Sequence, residues 1–220
     1  MKLNAVTSLA LLTAFGTIFF YAPEEATQGM VQKIFYVHVA CAITMYIGFF
    51  LAFLGGLFYL LEKKLHWDEL VVSAAEVGFF FCTVVLLTGP IWAKPIWGTW
   101  WDWDPRLTTT LLLWLLYAAY MVLRGYFEGS ARGRAVTSIV AIIAFLDVPI
   151  IHFSVRLWRG IHPSVMASQN SGLTPKMQAT LAITFCAMVL LFSSLMVARF
   201  RLERNRNLLA SARLQHSENV

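Results

Sequence analysis

The chain has 220 residues, of which 59% are hydrophobic and only 13% charged, and it carries a formal net charge of +5. A soluble domain is about one quarter charged, so this composition excludes a water-facing globule and calls for a bilayer. The basic excess does not require nucleic acid, because anionic headgroups on the cytoplasmic leaflet attract it equally well.

A helix crosses about 30 Å of hydrocarbon with about 20 largely apolar residues. The first stretch of that kind is 3–21. It opens with Met1-Lys2, but its apolar run exceeds that of a signal peptide and the following "YAPEEATQG" offers no small-x-small cleavage site, so a retained helix is expected. The second, 34–61, is long enough to tilt, and the third covers 70–93. The connector "KPIWGTWWDWDPRLT" then leads into a short fourth span, 107–123. The fifth covers 135–155 and the sixth 177–198. The expected fold is all-α: a six-helix transmembrane bundle over residues 1–200, followed by a polar tail, 201–220, that continues the last helix and frays.

Lysine and arginine orient this bundle. With the N-terminus in the cytoplasm, eleven of them fall inside: Lys2, Lys63, Lys64, Arg124, Arg132, Arg134, Arg199, Arg201, Arg204, Arg206 and Arg213. Six fall outside: Lys33, Lys94, Arg106, Arg156, Arg159 and Lys176. The positive-inside rule therefore predicts both termini in the cytoplasm, with the tryptophan connector between helices 3 and 4 outside. Cys41, Cys82 and Cys186 lie singly in three spans and read as packing residues. There is no C-x-x-C or C-x-x-C-H, hence no dithiol or covalent haem attachment motif.

Four of the eight tryptophans, Trp97, Trp100, Trp101 and Trp103, sit within seven positions. An interfacial belt accounts for one or two tryptophans at a helix end. A cluster also forms a broad flat platform for an aromatic amphipathic ligand, with Gly98 admitting close backbone approach. Asp104 and Pro105 carry the cap and first-turn signature of the fourth helix. His66 and His216 read as solvated. His38 and His152 fall at the outer boundary, level with the connector, where two imidazoles at one depth suit axial ligation of haem iron. Arg106, Arg156 and Arg159 either snorkel or pair with ligand carboxylates. Two acids, Glu76 and Asp147, lie within spans; Asp147 precedes Pro149, whose backbone distortion is expected to offer its carboxylate a partner.

"WGTWWDWDPRLT" resembles the tryptophan-rich motif of the haem-handling proteins of cytochrome c biogenesis, in particular the CcmC family, or haem exporter protein C. The form W-G-T-W-W-x-W-D is met by Trp97, Gly98, Thr99, Trp100, Trp101, Trp103 and Asp104, and "IFYVH" and "VPIIHFSV" agree around His38 and His152. The resemblance implies non-covalently held haem b at the outer face of the bacterial inner membrane, with His38 and His152 as axial iron ligands. The motif would lie along the macrocycle edge, with Arg106 at a propionate. It implies transfer rather than catalysis, beyond assistance to haem attachment on the acceptor. The implied partners are a periplasmic haem chaperone, a small single-span subunit, and the membrane and ATPase subunits of an ABC transporter; the chain itself contains no P-loop. Two other readings remain: a quinol-linked b-type cytochrome, for which no second haem site toward the inner face is evident, and a haem permease, for which no polar line crosses the bundle.

Overall fold

The computed structural model describes residues 2–127, 130–158 and 173–218. Among the described residues six helices are long and apolar enough to cross a membrane: Leu3–Tyr21, Met30–Glu62, Leu65–Trp97, Pro105–Tyr126, Ala131–Ser154 and Pro175–Arg213. These are the six expected spans, most of them extended by a turn or more at an end. No strand occurs among the described residues, and the all-α expectation holds.

The elements are α1 (Lys2–Gly16), continued by a wide π-helical turn, Thr17–Tyr21; α2 (Ile34–Glu62), entered through a 3₁₀ turn, Met30–Lys33; α3 (Leu65–Trp97); α4 (Pro105–Tyr126); α5 (Ala131–Phe145); α6 (Asp147–Leu157); and α7 (Pro175–Glu218). The fifth span is two helices because Pro149 has no N–H to offer the carbonyl of Phe145. The ladder breaks at Leu146, between the two elements. Pro90 and Pro95 remove two donors from α3 in the same way, yet that helix runs on to Trp97. Trp97 is thus the last residue of a helix and not part of the connector.

The pair α2–α3 forms the centre, with α5 and α7 on α2, α4 on α3 and α5, α6 on α4, and α1 outermost against α7. Glycine permits the central approach. A β-carbon on Gly48 would lie 2.8 Å from the Cα of Gly78, so the two backbones touch as small residues allow in membrane helices. Phe49 stacks on Tyr117 of α4, with ring centroids 3.9 Å apart. The hydroxyls of Thr44, Ser73, Thr137 and Thr184 return to carbonyls one turn earlier, satisfying polar groups inside apolar helices. Leu9, Leu12, Phe20, Val122 and Ile143 are exposed, as side chains facing lipid are.

At the end opposite the connector, charges converge. Arg124 of α4 grips Asp68 of α3 bidentately, Nη1 to Oδ1 at 2.6 Å and Nη2 to Oδ2 at 2.7 Å. Its Nη2 also reaches Glu203 of α7 at 3.2 Å, and Arg134 of α5 lies 3.3 Å from Asp68. Asp68 is 0% exposed. Asn207 adds a hydrogen bond to Glu69 at 3.0 Å. Two acids and two bases thereby join α3, α4, α5 and α7. Higher up, Glu76 pairs with Arg199, which gives this acid the partner its sequence neighbourhood did not reveal.

Candidate functional site

His38 lies one turn into α2 and is 8% exposed. Its seat is built by α3. Thr88 and Trp92 are four residues apart and so share a helix face, with Gly89 beside them. The Nδ1 of His38 is 2.9 Å from the Thr88 hydroxyl. Its ring meets Trp92 edge-on at 5.8 Å, and a β-carbon at Gly89 would touch its Cε1 at 3.5 Å. Trp92 is held in turn: its Nε1–H donates to Gln28 at 3.0 Å, and Phe35 packs against it at 5.9 Å. The composition of the segment marked neither Thr88 nor Trp92 as functional; their four-residue spacing was the available signal.

Gln28 belongs to a compact turn between the first two spans. The Glu25 carboxylate accepts the backbone N–H of Gln28 at 2.6 Å and that of Thr27 at 2.9 Å, and Gly29 reverses the chain at φ +56°. The Gln28 amide, with help from Thr27, holds the Glu25 carboxyl below its ordinary value of 4.5. Lys33 is buried and donates its ammonium to the carbonyl of Phe19 at 2.9 Å. It therefore closes the wide turn at the end of the first span.

The connector occupies residues 98–104. Gly98 adopts φ +76° and ends α3 by bonding back to the Lys94 carbonyl, while the Lys94 ammonium takes the Gly98 carbonyl at 2.8 Å. The Thr99 hydroxyl donates to the Trp101 carbonyl at 2.8 Å. At the other end Asp104 is buried and its Oδ1 accepts the N–H of Arg106 at 2.9 Å, with Pro105 in the first helical position. This is the cap that the sequence predicts. Trp100 and Trp103 are 58% and 73% exposed. Trp101 meets Trp103 edge-on at 5.9 Å, while its own Nε1–H is buried without a hydrogen-bond partner. A buried unpaired donor costs on the order of 1–3 kcal/mol.

Arg106 and His152 come together through the backbone: Nη2 of Arg106 lies 3.4 Å from the His152 carbonyl. The two histidines have different surroundings. On α6 the buried stripe is Asp147, Ile151 and Ser154, at i, i+4 and i+7. His152 lies about 100° around the helix from Ile151, so its ring is exposed, with Phe153 edge-on at 5.3 Å. The backbone break expected near Asp147 is present, but Oδ2 of that carboxylate is buried with no hydrogen-bond partner. The Arg156 side chain, Arg159 and His162 lie outside the described residues.

What converges at this end is a seated imidazole, exposed indoles, a guanidinium and an unpaired indole N–H. Among the described residues no three His, Cys, Asp or Glu side chains gather where they could hold a bare metal ion. The set suits a flat aromatic ligand with peripheral carboxylates.

The family model described as Heme exporter protein C matches residues 1–215. Similar proteins bearing that name occur in Paracoccus denitrificans, 33% identical over 94% of this chain and 87% of the relative, and in Escherichia coli K12, 34% identical over 90% and 80%. Another, from Bradyrhizobium diazoefficiens, is 31% identical over 90% of this chain and 76% of its own length. A match along almost the whole chain, including the connector and both histidine segments, has one consequence: the chain belongs to the Heme exporter protein C family.

Proposed function

We propose that the protein binds haem at the connector end of the bundle and hands it to a periplasmic haem chaperone during cytochrome c maturation. The connector end faces outward from the bacterial cytoplasmic membrane, and both termini are cytoplasmic. His38 and His152 supply the axial imidazoles. Trp97, Trp100, Trp101 and Trp103, with Gly98 and Thr99, border the macrocycle. Arg106 takes a propionate, and Asp104 fixes the helix start from which Arg106 projects. Haem b is cargo, so the protein's part is to bind, orient and release it; an ABC transporter and a small single-span subunit complete the assembly.

The observation that carries this reading is His38. It is an imidazole buried at the same bundle end as the indole connector, with Nδ1 2.9 Å from the Thr88 hydroxyl, and metal-binding histidines commonly have such a partner. Optical spectra of purified variants test it. His38→Ala and His152→Ala should each remove the low-spin bis-imidazole spectrum of the loaded protein. Retention of that spectrum in both single variants and in the double variant refutes the axial assignment. Loss in His162→Ala together with retention in His152→Ala would transfer the second ligand to the segment after α6. Trp→Ala changes at 100, 101 and 103 should weaken chaperone loading while the protein still accumulates in membranes.

A further inference from the structure

A threonine hydroxyl has one proton. In Thr88 that proton is committed within α3: Oγ1 lies 2.8 Å from the carbonyl of Val84 and 3.3 Å from that of Val85. At 2.8 Å two oxygens without a proton between them repel, so the hydroxyl must donate to Val84. The same Oγ1 is 2.9 Å from Nδ1 of His38. With its proton already used, it faces the imidazole as an acceptor. Nδ1 must therefore carry a hydrogen, and in the neutral ring the lone pair then lies on Nε2. The opposite tautomer would set two acceptors against each other across 2.9 Å.

We propose that Thr88 is a positioning residue that fixes His38 as its Nδ1–H tautomer and so presents Nε2 to the haem iron. The inference rests on the reading of His38 as an axial ligand. A polarised chain, Val84 carbonyl to Thr88 hydroxyl to His38 imidazole, orients the ring and raises the basicity of the ligating nitrogen, as partners of metal-bound histidines do. Trp92, tied to Gln28, backs the same ring edge-on. The hydroxyl matters here as an acceptor rather than as bulk, so valine, equal in shape, is the discriminating replacement and serine the conservative one.

The experiment uses full-length protein in detergent with three variants, Thr88→Val, Thr88→Ser and His38→Ala. Nitrogen-15 NMR of the histidine-labelled, haem-free protein reads the tautomer directly, and haem titration reads affinity and spin state. Wild type and Thr88→Ser should show the Nδ1–H form of His38. Thr88→Val should show mixed tautomers and about tenfold weaker haem binding or more, with a growing high-spin fraction. An Nε2–H form in wild type overturns the proposal. So does a Thr88→Val protein with wild-type affinity and spin state when His38→Ala has lost its low-spin spectrum. A His38→Ala protein with an unchanged spectrum instead overturns the axial assignment beneath it.

Discussion

Replacing Arg124 with methionine tests the charged cluster at the end opposite the connector. In the native bundle Asp68 and Glu203 are balanced by Arg124 and Arg134. The variant leaves two acids against one base, with the fully buried Asp68 carboxylate stripped of its bidentate partner. Breaking a buried pair from one side costs about 3–5 kcal/mol, and each 1.4 kcal/mol is about tenfold in the equilibrium, so the unfolded fraction should rise by a factor of hundreds or more. The assay is titration with SDS in mixed micelles, followed by tryptophan fluorescence. Making both Asp68 and Arg124 apolar removes the buried carboxylate together with its bidentate partner, so Asp68→Leu/Arg124→Met should recover part of the loss. Haem spectra should stay unchanged, since the site is at the other end. A single variant within about 0.5 kcal/mol of wild type, which is the usual range for a surface change, or a double variant whose losses simply add, would refute the reasoning.

Gly48→Ala should destabilise the bundle by about 1–3 kcal/mol, because the added methyl meets the backbone of Gly78 at 2.8 Å rather than a movable side chain; the same micelle titration measures it. Acidification should loosen the turn over Trp92. The Glu25 carboxyl is held below 4.5, so its contribution is complete above that ordinary value and is lost as the pH falls through the lowered one. The protection of the Thr27 and Gln28 amides, taken relative to intrinsic exchange at each pH, should fall over that acid range in wild type, and in a Glu25→Gln protein it should not change with pH.

Much of this architecture was legible in the residues. Apolar run length gave the six spans, Pro149 marked the break in the fifth, and Asp104-Pro105 marked the start of α4. Pro95 misleads in the other direction: it suggests that the third helix stops before the connector, yet α3 runs through it to Trp97, because one missing donor is tolerated inside a bundle. The seat of His38 was hidden because it depends on the rotational phase of α2 against α3, and apolar residues surround both helices. The exposure of His152 was hidden for a related reason, since exposed and buried faces of α6 look alike in composition. Asp68, Arg124, Arg134 and Glu203 each read as an ordinary interfacial charge; only packing of four helices makes them one cluster.

The seven residues from Gly98 to Asp104 are moored on both shores, by Lys94 at the Gly98 carbonyl and by the carboxylate that starts α4. So short a tether leaves no slack for a swinging flap. Movement at this end is then confined to side chains, and Trp100 and Trp103 stand exposed on a surface whose backbone is held at both ends.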